Sequence, residues 1–104
     1  MEEKMKAIQV NEFGEPEVMK LIELNVPEPG NNDVLIHVEA IGVNPVDTYI
    51  RAGNYPVLPQ LPFIPGKDVG GKIVKVGDGV KKWKEGDRIY SSGTLTGAYA
   101  EYTV

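Results

Sequence analysis

The chain contains no cysteine and a single histidine. Without thiols there is no disulfide, no thiolate nucleophile and no thiolate-bound metal. His37 has no second imidazole to form a metal pair, so it reads as a surface residue of its strand. The lack of cysteine is compatible with the cytoplasm, the expected compartment. There is no run of about 18 apolar residues and no charged-then-apolar leader, so neither a membrane span nor a secretory signal is expected. An excess of positive charge is also missing: 15 acidic residues against 11 basic ones give a net charge of −4 and a pI near 4.9. That balance offers nothing to nucleic acid or an anionic membrane. The local cluster Lys81, Lys82, Lys84 and Arg88 reads as a solvated turn region rather than a phosphate site.

Glycine-rich nucleotide signatures are missing too. Gly77-Asp78-Gly79 lacks the third glycine and the following helix of a dinucleotide fingerprint, and is expected to be a hairpin turn. Val69-Gly70-Gly71-Lys72 runs into a strand, which excludes a phosphate-binding loop. Nor is there a long helical period, an internal repeat or a low-complexity tract.

What remains is a single-domain sequence of 104 residues built from short strands and turns. Apolar residues alternate at Val34, Ile36, Val38 and Ala40, with Leu35, His37 and Glu39 on the other face, which predicts a half-buried strand. Weaker strands are expected over Met5 to Glu12, Met19 to Asn25, Val69 to Val76, Arg88 to Tyr90 and Ala98 to Val104. Turn signals separate them, among them Pro27-Glu28-Pro29-Gly30 and Glu85-Gly86-Asp87. The pattern predicts an all-β fold, mainly β with one or two short helical turns, arranged as a barrel or sandwich. Met1 to Lys4 are expected to form a frayed end. Trp83 is expected to be a core or loop anchor. Pro56, Pro59, Pro62 and Pro65 recur every three residues, so Gly53 to Gly66 should be an extended, stiff loop, either a plain connector or the wall of a site.

The stretch Gly42 to Tyr55, GVNPVDTYIRAGNY, is dense in polar groups. Asn44 followed by Pro45 predicts a helix start, and Asp47 suits the positive end of the helix dipole. Asp47 and Arg51 stand four apart and are placed to pair along one face. Capping thus explains Asn44, Asp47 and Arg51 as well as chemistry does. It leaves Tyr49 and Tyr55 unexplained, and these could fill the edge of the core or donate a proton or hydrogen bond in a cleft.

Several segments together resemble a known family. MKAIQVNEFGEPEVMKL, DVLIHVEAIGVNPVDTYIRAGNYP, LPFIPGKDVGGKIVKVGDGV, KEGDRI and GAYAEYTV resemble the amino-terminal, GroES-like catalytic domain of medium-chain dehydrogenases/reductases. The branch they are most similar to is the zinc-free quinone oxidoreductases (zeta-crystallin-like). The resemblance implies a GroES-like, partly open β-barrel over 1–104. In the zinc-dependent branch a cysteine and a histidine ligate the metal where this sequence has Asn44 and Lys67, followed by Asp68; Val46 and Tyr49 replace its proton-relay residues. No zinc is therefore expected. The resemblance implies NADPH as hydride donor and a quinone or enone as acceptor. It places Asn44 beside the nicotinamide and acceptor, and Tyr49 and Tyr55 in the acceptor pocket, with Tyr55 matching a proposed proton donor of related reductases. Asp47 aligns with an acid near the pocket. Lys67 puts a cation where the family commonly has a small or polar residue, and Ser92, Gly93 and Thr94 fall at the pocket rim.

The family's doubly wound cofactor domain has no counterpart in these residues. The expectation is a catalytic portion, truncated or engineered, that neither holds NADPH tightly nor turns over alone. A homodimer is also an expectation, because truncation would expose the face that meets the cofactor domain and exposed apolar patches promote association. The alternative is a stand-alone GroES-like assembly or interaction module.

Overall fold

The structure, a computed structural model, describes residues 3–104. The frayed end expected at Met1 and Glu2 lies outside the described residues, and Lys4 already opens the first strand. In chain order come β1 (Lys4–Val10), a single 3-10 turn (Pro16–Val18), β2 (Met19–Asn25), β3 (Val34–Gly42), α1 (Pro45–Ala52), β4 (Asp68–Val76), β5 (Arg88–Ser91) and β6 (Tyr102–Thr103). β1 and β2 form an antiparallel pair; the other strands form a second antiparallel sheet in the order β5-β4-β3-β6. The fold is mostly β, as expected, but the two sheets do not close into a continuous barrel.

The alternation expected in β3 is interrupted. Register shifts fall between Leu35 and Ile36 and between Val38 and Ala40. Because side chains alternate with a period of two, each irregularity exchanges the faces beyond it. Leu35 and Ile36 are consequently both buried, whereas Ala40, expected on the core face, is exposed.

The last strand also differs from expectation. Only Tyr102–Thr103 pair regularly with β3, instead of the whole of Ala98 to Val104. The preceding residues are claimed by other partners: Ala98 and Tyr99 N–H both donate to the Pro65 carbonyl at 3.0 Å. Ile8 N–H donates to the Tyr99 carbonyl (2.8 Å), Glu101 N–H to the Lys6 carbonyl (3.1 Å), and Val38 N–H to the Glu101 carbonyl (2.8 Å). Residues 98–101 thus stitch the two sheets together. Two small cores flank the seam: Met5, Ala7 and Ala100 on one side, and Ile36, Val69 and Ala98 on the other.

One further expectation is corrected and another narrowed. Gly77-Asp78-Gly79 is a turn, but Gly77 and Gly79 donate their N–H groups to the Asp33 and Asn31 carbonyls (both 2.8 Å), so it docks on the 30–33 loop beyond the β3-β4 ladder instead of closing a tight hairpin. Of the two places expected for Trp83, the core is excluded by its 45% exposure; it stands in the loop before β5, with the Lys82 ammonium 6.0 Å from its ring centroid. His37 is exposed, as expected, and sits beside the Tyr102 ring.

The proline-rich segment after α1 has no helix and only one strand bridge. Phe63 exchanges both backbone hydrogen bonds with Val10 (2.8 and 3.0 Å), which fixes the loop to the end of β1. Its close approach to the seam depends on Gly97, whose φ of 100° is in the left-handed region and whose added Cβ would stand 2.2 Å from the Ile64 carbonyl oxygen. Gly97→Ala combines backbone strain with a backbone clash, and should cost about 2 to 4 kcal/mol in urea unfolding. Gly93→Ala, with nothing within 4 Å of the new methyl, should stay within about 0.5 kcal/mol of the parent.

Candidate active site

Helix α1 is short and amphipathic, and it begins and ends where the local sequence dictates. Pro45 occupies its first turn and Gly53 closes it in the left-handed conformation (φ 84°). The Asp47 carboxylate turns back to accept the Asn44 backbone N–H at 3.0 Å. The Asn44 side chain makes no cap hydrogen bond; its amide nitrogen donates to Asp68 Oδ2 at 2.7 Å, tying the helix start to the start of β4. The expected Asp47–Arg51 pair does not form either. Arg51 Nε donates to the Gly14 carbonyl (3.1 Å), because the chain before the helix brings an unpaired backbone oxygen within reach.

Asp47 is only 6% exposed. A carboxylate so placed needs donors aimed at it, and a second one is supplied by Tyr99, whose hydroxyl donates to Asp47 Oδ2 at 3.2 Å. Burial first, then the charge of Asp47 and the hydrogen bond to it, push the Tyr99 phenol from an ordinary 10.0 up to about 12, with Arg51 pulling the other way. The ring reaches this position because Gly66, at φ 97°, has no Cβ: one placed there would lie 2.6 Å from the Tyr99 ring.

Beside this group opens a cavity of about 690 Å³ between the proline-rich loop, α1 and the 94–97 segment. Its size is within the range of sites for drug-sized ligands. The loop supplies an apolar wall, including Val57, Leu58, Pro62 and Phe63; Asp47, Tyr55, Lys67 and Thr94 bring polar groups. The loop is thus the wall of a cavity and not merely a connector. Of the residues singled out in the sequence, Asp47, Tyr55 and Lys67 line it. Asn44 does not, although it touches the rim through Asp47 and Asp68. Tyr49 is 53% exposed and outside the lining; its carbonyl caps the helix end by accepting the Asn54 N–H at 2.8 Å. Thr94 lines the cavity, but Ser92 and Gly93 do not. Gln9 and Thr96 also contribute, and neither they nor Tyr99 carry a local signal of a site. The one hint for Tyr99 is a large ring set among small residues in Gly97-Ala98-Tyr99-Ala100.

A profile of the alcohol dehydrogenase GroES-like domain matches residues 30–104. The chain belongs to that family. This GroES-like domain is 54% identical to the quinone oxidoreductase of Lama guanicoe over 101 residues, 96% of the chain and 31% of that relative. A mycobacterial quinone oxidoreductase superposes with a TM-score of 0.88 at 44% identity, over 95% of the chain and 30% of that protein. The Escherichia coli quinone oxidoreductase, solved in complex with NADPH, superposes with a TM-score of 0.86 at 37% identity, over 95% of the chain and 31% of that protein. The expected kinship with the quinone oxidoreductases of the medium-chain superfamily is borne out. The domain spans about 31% of the length of the curated relatives it matches.

The Tyr99–Asp47 contact gives a pH signature. A phenol with a folded-state pKa near 12 keeps its proton where the unfolded chain, near 10, has lost it. Its stabilising contribution is therefore complete below about pH 10 and declines as pH rises from 10 to 12. Among the five tyrosines, Tyr99→Phe should abolish an absorbance step near pH 12 in a rapid pH-jump titration at 295 nm. The substitution should cost about 1.5 to 3 kcal/mol at neutral pH by urea unfolding, because it takes one donor from a buried carboxylate.

Proposed function

We propose that this domain holds the acceptor in an NADPH-dependent, zinc-independent oxidoreductase of quinones or enones. The observation that carries the reading is the juxtaposition of an apolar, proline-walled cavity with Tyr55, Asp47 and Lys67 in a domain 54% identical to the quinone oxidoreductase of Lama guanicoe. The wall suits a planar, largely apolar ring; the polar groups suit its carbonyl oxygens.

NADPH, when bound, supplies the hydride. Tyr55, 41% exposed at the cavity, donates a hydrogen bond to the acceptor oxygen and is the group we assign to protonate it. Tyr49 stands between two lining residues of α1, Asp47 and Ile50, but on the exposed side of the helix, and we assign it to border the acceptor from the outer side. We assign Asn44 to the nicotinamide side of the site, where Asp68 fixes the orientation of its amide by accepting from the amide nitrogen at 2.7 Å. Asp47 fixes the helix start on which these groups stand.

The donor set supports zinc independence. At the positions of the zinc branch the domain offers an amide engaged by a carboxylate and, at Lys67, an ammonium, which repels a metal cation. Among the described residues no three His, Asp or Glu side chains are grouped to hold a metal, and no helix is long and apolar enough to cross a membrane. The cysteine-free composition supports a cytoplasmic location. The 104 residues carry no glycine-rich dinucleotide turn, so we assign cofactor binding to a second domain and expect these residues alone to bind acceptor without turnover. Nothing among the described residues favours the stand-alone assembly module.

Menadione titrated into the isolated domain, followed by Trp83 and tyrosine fluorescence, should give saturable quenching. Tyr55→Phe should weaken it about fivefold, the value of one hydrogen bond. NADPH absorbance at 340 nm should stay constant in the same mixture. Unsaturable quenching would overturn the acceptor-site reading, and saturable NADPH oxidation would overturn the division of labour.

A further inference from the structure

The cavity contains two charged side chains, Asp47 and Lys67, and they are used differently. Asp47 is buried and already accepts from the Asn44 N–H and the Tyr99 hydroxyl. Lys67 is exposed to the cavity and, among the described residues, takes part in no ion pair or side-chain hydrogen bond. Asp68, next in sequence, forms no ion pair with it; its carboxylate accepts instead from the Asn44 amide at 2.7 Å.

The backbone beneath Lys67 is firmly placed. The Pro65 carbonyl accepts two N–H groups, from Ala98 and Tyr99, at 3.0 Å each, and the Gly66 carbonyl accepts the Thr94 hydroxyl at 3.3 Å. A flexible ammonium on a fixed base, facing a cavity with one apolar wall and with its only other charge, Asp47, already engaged by two donors, attracts an anion more strongly than it would on an open surface. The cavity's 690 Å³ also leaves room for a ring with a substituent.

Building on the acceptor-site reading, we propose that Lys67 is a specificity residue that selects acceptors bearing an anionic substituent, a carboxylate or sulfonate on the ring, over neutral ones of the same shape. The anion pairs with the ammonium at the cavity mouth while the ring lies against the proline-rich wall. No covalent step is involved. The same ammonium could instead meet a phosphate of NADPH, and that source is separated below.

The test compares anthraquinone-2-sulfonate with neutral 2-(hydroxymethyl)anthraquinone, each titrated into the domain at low ionic strength. The sulfonate should bind about fivefold more tightly, within the range for a partly exposed ion pair. The preference should disappear in Lys67→Gln and in 0.5 M salt (about a 4 Å screening length), persist in Lys67→Arg, and be unchanged in the distant control Lys81→Gln. Equal binding of both quinones to the parent domain would overturn the anion preference and leave the acceptor site standing; binding of neither would overturn both. A sulfonate preference unaltered by Lys67→Gln would also overturn the assignment, as would saturable binding of NADPH to the parent domain that displaces the sulfonate and is lost in Lys67→Gln.

Discussion

A carboxylate withdrawn from water holds the site together. Asp47 lies almost wholly inside the protein, and no cation pairs with it among the described residues. Its charge is supported by dipoles: the backbone N–H of Asn44 and the phenol of Tyr99. Removing either donor would leave a buried charge short of partners, a costlier state than losing the same bond at a surface. The arrangement joins three parts of the chain far apart in sequence: the start of α1, the seam at residues 98–101 and, through the bare backbone of Gly66, the proline-rich loop.

That junction explains why a cavity can exist in so small a protein. The two core clusters are modest and stand on either side of the seam, so neither alone positions the loop. Instead the loop is fixed by backbone hydrogen bonds at both ends of its inner segment, Phe63 to Val10 and Pro65 to Ala98 and Tyr99. Pro56, Pro59 and Pro62 limit the conformations of the stretch that leads into these anchors, so an apolar wall can stand beside solvent without collapsing onto the core. The exposed hydrophobic side chains at its rim, Val57 at 77% and Leu95 at 71%, are the consequence. They offer an apolar ligand exposed hydrophobic surface to cover.

Much of this was readable along the chain. The limits of β2 and the start of α1 followed from alternation and from the Asn-Pro signal, because these depend on neighbours a few residues away. The family was legible as well, since several motifs occur in order. Less legible were the faces of β3, where two register shifts decide burial, and the true extent of β6. Ala98 to Glu101 have strand-like composition, but their hydrogen-bonding groups are taken by Pro65, Ile8, Lys6 and Val38. Competition between distant partners leaves no trace in local pattern.

The sequence by itself determined the absence of thiol chemistry, the all-β class, the helix that begins at Pro45, the stiff loop and the kinship with quinone oxidoreductases, because composition, periodicity and motif order are properties of the chain. Only the tertiary structure decided which polar residues converge. It brought Asp47, Tyr55 and Lys67 to one cavity, left Tyr49 outside its lining, turned Asn44 toward Asp68 and Arg51 toward Gly14, and added Tyr99. The reason is physical. Hydrogen bonds to a buried carboxylate are satisfied by whichever donors the fold delivers, and residues 47 and 99 meet only after the two sheets are joined.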